Sequence, residues 1–227
     1  MKKNLLIYPG FVTDTWCSIE QRYLWLVGPL DEHFNVYWLV PPAGSKHTRC
    51  REEGNRSKEP IYVTRLKEKN ARIIEADISK YNLFGNLILL RKILKKHRID
   101  AVTQWFSPLG YYLELTAKLC EVPVFRKEHT FTFAENRKYK IVKYWFWKWT
   151  TSYYITNSIA VARHLIDNRV VTAGNSTVVY NAFDISSYPT ARKEESRGTL
   201  LHEFNLSPDT ILLGCVAEST EANNNTF

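Results

Sequence analysis

Short apolar runs alternate with stretches of helical period along most of the chain. Leu5-Leu6-Ile7-Tyr8, stopped by Pro9-Gly10, predicts a buried strand ending in a turn. Over residues 18–30 the apolar positions Ile19, Tyr23, Leu26, Val27 and Leu30 recur at helical spacing, with Thr15 or Ser18 available as caps and Glu20 in the first turn. Residues 35–40 are β-branched and aromatic, closed by Pro41-Pro42. Strand, helix and strand in that order form a βαβ unit with a right-handed crossover. Residues 43–60 are polar, charged and aperiodic, which predicts a surface loop.

The alternation continues downstream. Ile61-Tyr62-Val63 and residues 71–76 have strand-like composition. Residues 83–97 predict a helix with Leu87, Leu90, Ile93 and Leu94 on one face; basic residues from Arg91 to Arg98 crowd its negative end. Strands follow at 99–105, 122–126, 153–158 and 177–180, separated by helices at 111–120, 139–151 and 159–168. This order predicts an α/β fold: a Rossmann-like, mainly parallel sheet flanked by helices. Functional groups in such sheets lie beyond the carboxyl ends of strands, which selects Gly10, Ser107, His129 and Asn181. The tail changes character. Residues 190–197 predict a charged linker, 200–204 a short helix and 210–217 a strong strand. The expected organisation is one domain over 1–189, then a linker and the first strand of an incomplete second domain over 190–227.

Composition narrows the setting. The 227 residues are 44% hydrophobic and 24% charged, which excludes wholesale disorder. A formal net charge of +8 favours anionic partners without choosing among them. Cys17, Cys50, Cys120 and Cys215 lie far apart with no zinc-type spacing, so free thiols and no metal are expected. The amino-terminal apolar run is too short for a secretory leader, and no run approaches a membrane span. A cytoplasmic location follows as the expectation.

The order of these pieces resembles the N-terminal half of glycosyltransferase family 4 enzymes, which have the GT-B fold of two facing Rossmann-like domains. Residues 5–40 look like the family's opening strand, loop, long helix and second strand. Ile99-Asp100-Ala101-Val102, followed by Val122-Pro123-Val124, resembles a later pair of strands, with His129 where the family has a histidine. Ile155-Thr156-Asn157-Ser158 and Thr177-Val178-Val179-Tyr180-Asn181-Ala182-Phe183-Asp184 resemble the family's helix start and its Asn-Gly-x-Asp turn, here with Ala182 for the glycine. The resemblance implies transfer of a sugar from a nucleotide-sugar donor to a glycolipid or polysaccharide acceptor, with retention and without a bound metal or other cofactor. It also implies that the N-terminal domain holds the acceptor. Two departures stand out. Cys17-Ser18-Ile19-Glu20 replaces a glycine-paired loop, and Glu218-Ser219-Thr220-Glu221 follows the strand at 210–217 where basic residues are usual. The later acidic motif that grips the donor does not occur, so the expectation is a truncated or split enzyme, inactive alone, with a separate C-terminal half as a candidate partner.

Each candidate residue has a functional and a plain structural reading. His129 is either the catalytic group, orienting a sugar hydroxyl, or a loop histidine bonded to backbone. Gly10, with Phe11 beside it, lets the first loop approach a diphosphate or simply makes a turn. Arg126 and Lys127 bind an anionic acceptor group or are solvated charges, and Glu128 reads as an exposed carboxylate. Ser158 contacts substrate or caps its helix, and Asn181 contacts substrate or fixes a turn. The aromatic, basic stretch 137–149 is the most unusual composition in the chain. It reads as a core helix, or as a membrane-contact helix using Lys140, Lys143, Tyr144, Trp147 and Lys148 against the cell membrane's inner face. Nucleic-acid stacking is the weakest reading, since no nucleic-acid motif accompanies it. The rival to an enzyme is a non-catalytic Rossmann-like module that associates with a membrane surface or a partner protein.

Overall fold

The computed structural model describes residues 1–9, 12–13, 24–45, 48–49, 59–79, 81–105, 109–129, 137–181 and 193–213. Seven strands form one parallel sheet: β1 (Lys3–Tyr8), β3 (Phe34–Val40), β5 (Arg72–Glu75), β6 (Ala101–Trp105), β7 (Val124–Glu128), β8 (Tyr153–Thr156) and β9 (Ser176–Val178). Their order is β5-β3-β1-β6-β7-β8-β9. A separate two-stranded parallel ladder pairs β2 (Val12–Thr13) with β4 (Thr48–Arg49). Among the described residues the helices with both ends defined are α1 (Pro29–His33), α2 (Ile61–Glu68), α3 (Leu83–Lys96), α4 (Gly110–Leu119), α5 (Arg137–Thr150), α6 (Ile159–Asp167) and α7 (Lys193–Glu203).

The strand order explains the layering. From β1 the chain steps outward through β3 to β5, then returns and steps the other way through β6 to β9. Right-handed crossovers in opposite directions place their helices on opposite faces. On one face Ile7, Val36, Trp38 and Val40 pack against Tyr62, Val63 and Leu66 of α2 and against Leu24 and Val27. On the other, Leu6, Val102 and Val124 pack against Leu90, Ile93 and Leu94 of α3 and Leu113 and Ala117 of α4. Farther along that face, Tyr154 of β8 packs with Tyr144 and Trp147 of α5 and Val161 and Leu165 of α6. Burying apolar surface at roughly 25 cal/mol per Å² makes these layers the main stabilising term.

Five expectations change. Residues 61–63 are the first turn of α2 rather than a strand: Pro60 precedes them, and Tyr62, Val63 and Leu66 fall at helical spacing on the buried side. The helix expected over 18–30 is interrupted within its described part. Residues 24–26 are helical, then Gly28 at φ 99° turns the chain and Pro29 opens α1, because proline suits a first helical turn and not a helix interior. The loop expected over 43–60 contains the short strand at Thr48–Arg49. Residues 193–197, expected in a linker, belong to α7, whose Arg197 donates to the carbonyls of Pro208 (2.7 Å) and Thr210 (2.9 Å). Residues 210–213 form no strand, and Ile211 and Leu213 are exposed; the rest of that expected strand lies outside the described residues. By its internal packing the chain divides into two units, 1–182 and 183–227.

Helix exits repeat one device. Asn70, Arg98, Glu121, Arg169 and Asn205 have φ between 47° and 59°. Each follows a helix, and each is followed by a residue whose N–H reaches back to the last helical turn. The bonds are Ala71 to Leu66 (3.0 Å), Ile99 to Leu94 (2.9 Å), Val122 to Ala117 (2.9 Å), Val170 to Leu165 (2.9 Å) and Leu206 to Leu201 (2.8 Å). A side chain in this conformation costs about 1–2 kcal/mol, and glycine gives back part of that in unfolded-chain entropy. Glu121 is exposed. Glu121→Gly is therefore expected to stabilise the protein by about 0.5–1 kcal/mol, read as a higher urea midpoint at unchanged slope.

Candidate functional site

At the carboxyl end of β7, successive side chains point to opposite faces. Arg126 and Glu128 face the α4–α5 layer and are 4% and 6% exposed; Lys127 faces the other way and is half-buried. A buried guanidinium needs its counter-charges close by. Arg126 receives two. Its Nη1 donates to Oε1 of Glu114 from α4, and its Nε donates to Oε1 of Glu128 at 2.6 Å. Gln104, fully buried at the end of β6, donates from Nε2 to the same Glu114 oxygen. The Trp147 ring of α5 lies under the guanidinium, 3.8 Å from its centroid, and Lys143 Nζ stands 4.5 Å from that ring.

The electrostatics follow from burial. Desolvation pushes the Glu114 carboxyl up, against the opposing pull of Arg126 and Gln104. Desolvation also opposes the Arg126 charge, but Glu114 and Glu128 outweigh it and leave the guanidinium more firmly protonated than usual. Burial likewise raises the Tyr154 phenol above its ordinary range. Gly110, at the start of α4, allows the close approach: a Cβ there would lie 2.7 Å from Cδ of Gln104.

His129 directly follows β7 and is half-buried. The neighbouring strand fixes its backbone. Asn157, just past β8, donates from its N–H to the Glu128 carbonyl (3.3 Å) and from Nδ2 to the His129 carbonyl (3.3 Å). An imidazole held at a strand end offers one donor and one acceptor to a sugar hydroxyl. Ser158 caps α6, its Oγ accepting from Val161 N–H at 3.2 Å. Asn181 is exposed beyond β9. Gly10, Phe11 and Ser107 lie outside the described residues.

Several expected roles are corrected. Arg126 is a buried ion-paired strut and not an anion-binding surface residue; Glu128 is its partner and not an exposed carboxylate. Tyr144 and Trp147 point inward rather than toward a membrane, 8% and 2% exposed, and the Tyr144 hydroxyl lies 3.1 Å from His164 Nε2. Lys143 is half-buried over Trp147, Lys148 is exposed, and the Lys140 side chain lies outside the described residues. Glu114 and Gln104 were not singled out from sequence. Their signal is a lone carboxylate beside Leu113 on a buried helix face and a lone amide in an apolar strand. An apolar cavity of about 430 Å³ lies elsewhere, lined by Leu5, Ile7, Leu26, Leu30, Phe34 and Phe125, with Lys3, Asn4 and Asp100 marking the amino-terminal edge of the sheet. Among the described residues no helix is long and apolar enough to cross a membrane.

Removing Arg126 leaves two buried carboxylates without their cation. Arg126→Met is expected to destabilise the protein by about 3–5 kcal/mol at pH 7. Desolvation already pushes the Glu114 carboxyl up, and without the opposing pull of Arg126 the folded state takes up a proton there before the unfolded state does as pH falls. Part of the lost stability therefore returns between pH 7 and pH 5, measured by urea unfolding at both values.

The fold has known counterparts. A Rickettsia africae glycosyltransferase superimposes with a TM-score of 0.59 at 15% identity, over 92% of this chain and 51% of that one. Anabaena Alr3699/HepE in complex with UDP superimposes with a TM-score of 0.59 at 16% identity, over 87% and 50%. Acinetobacter baumannii MurG does so with a TM-score of 0.51 at 14% identity, over 80% and 47%. These likenesses establish the fold, a Rossmann-like sheet matching the N-terminal half of the GT-B architecture, and this chain spans about half the length of each. No curated protein sequence matches it significantly. The profile of Glycosyltransferase Family 4 matches residues 35–187, from β3 through β9, and the chain belongs to that family.

Proposed function

We propose that the chain is the acceptor-side part of an enzyme that moves a sugar from a nucleotide-sugar donor to a glycolipid or polysaccharide acceptor with retention of configuration. Residues 1–189 hold the acceptor, and a second domain, to which 190–227 belongs, holds the donor. The observation that supports this reading best is His129, standing at the carboxyl end of β7 in a parallel sheet, in a chain of this family. His129 orients the acceptor hydroxyl or assists the leaving diphosphate. Lys127, Ser158 and Asn181 are surrounding contacts, as are Gly10, Phe11 and Ser107, which follow strands in the sequence. Arg126 acts behind them by holding Glu128 and the end of β7 in place. No metal takes part, and the protein works on the cytoplasmic side of a membrane, where lipid-linked acceptors reside.

The 227 residues alone are expected to transfer no sugar from labelled UDP- or GDP-sugars to short-chain prenyl-diphosphate-linked saccharides, while binding at least one such acceptor. His129→Ala weakens that binding roughly threefold to tenfold, the loss of one hydrogen bond. Turnover by the chain alone, or acceptor binding indifferent to His129, would count against the reading. Native mass spectrometry and a radiolabel transfer assay provide the two measurements.

A further inference from the structure

The helices over the β1–β6–β7–β8 face carry apolar surface on their outer side as well as their inner one. On α5, Tyr144, Trp147 and Thr150 are buried, whereas Ile141, Val142, Trp145 and Trp149 are 61%, 65%, 66% and 42% exposed. At 3.6 residues per turn these four lie on one outward stripe with exposed Lys148. Trp145 and Trp149 stack on one another, centroids 6.3 Å apart and planes within 14°. An exposed pair of this kind is not a packing remnant, since the core on the opposite side of α5 is complete without it.

Charge and a second helix point to the occupant. The helix α5 contains Arg137, Lys138, Lys140, Lys143 and Lys148 and no acidic residue. Helix α3 repeats the arrangement. Its inner residues Leu90, Ile93 and Leu94 are buried, while Phe84 and Ile88, 77% and 58% exposed, share an outer stripe with exposed Arg91 and Lys95. It too has no acidic residue. Both helices pack on the same sheet face with α4 between them: Leu113 and Ala117 join the α3 core, and Tyr111 of α4 stacks edge-on against Phe146 of α5 at 5.7 Å. One helical layer thus presents aromatic and aliphatic side chains interleaved with cations only.

We infer that this layer docks on an anionic bilayer surface, with Trp145, Trp149, Ile141 and Phe84 entering the headgroup region and Lys148, Arg91 and Lys95 meeting lipid phosphates. Tryptophan suits an interface that is apolar on one side and wet on the other, and clustered cations add electrostatic attraction that salt screens. The inference is independent of the sugar-transfer reading, because the assay contains no donor or acceptor.

The test is co-sedimentation with phosphatidylcholine vesicles, with and without one third phosphatidylglycerol. The wild-type chain is expected to bind the anionic vesicles at least tenfold more tightly than the neutral ones, and 0.5 M salt should weaken that binding. Trp145→Ser/Trp149→Ser, at solvent-exposed positions and with an unchanged melting temperature, should lower it tenfold or more; Arg91→Glu/Lys95→Glu should lower it independently. Vesicle binding unaffected by both variants overturns the inference, as does the absence of binding. A dimer in light scattering that the tryptophan variant converts to monomer also overturns it, because the face is then a contact between copies. Tighter binding to a single-stranded oligonucleotide than to the vesicles is the remaining contrary result.

Discussion

A guanidinium withdrawn from water at the middle of a parallel sheet has to find its neutralising groups within the fold. Arg126 does so by drawing on three neighbouring elements: Glu114 from α4, its own strand mate Glu128, and the face of Trp147 from α5. None of these contacts is optional once the charge is buried, because an uncompensated ion there costs several kcal/mol. The cluster fixes how α4 and α5 seat on β7. It also explains why Gly110 opens α4, where a larger residue would collide with Gln104. His129 projects from the end of this braced strand, so its position is inherited from a set of interactions that never touch solvent.

Strand-end logic places His129 directly after β7, and helical and strand periodicity find most of the sheet. All seven strands of the main sheet overlap runs visible as β-branched or aromatic segments, and α3, α4, α5 and α6 follow apolar periods read directly from the chain. Failures occur where a short run fits two patterns. Ile61-Tyr62-Val63 has strand composition over three residues, and only Leu66 farther on, after Pro60, tips it to helix. Gly28-Pro29 splits an apolar period that continues across it. At 193–197, charge suggests a linker, yet Lys and Glu are good helix formers when Arg197 can close the structure onto a following turn.

For the candidate site, position along the strands was legible in the sequence and burial was not. Position along a strand locates His129 and Arg126, since it depends only on local pattern. Exposure depends on what packs above, and that belongs to residues far away in sequence. Arg126 and Glu128 read as surface charges until Glu114 and Trp147 are seen to cover them. The aromatic helix shows the same lesson in reverse. Its composition announced an amphipathic role, but the tryptophans divide between two faces, and only the contacts with Tyr154 and Arg126 decide which are internal.

The parallel sheet also fixes a direction. Its helical layer runs alongside the strands, so the strand ends that carry His129 open at the rim of that layer and not above it. A helix is about 10–12 Å across. If the α3–α5 layer rests on a flat surface, the sheet stands roughly one helix diameter above that surface, with its carboxyl edge facing along the plane. Under the proposed function, a saccharide tethered to a lipid would then enter sideways, from the headgroup region, without its anchor leaving the bilayer.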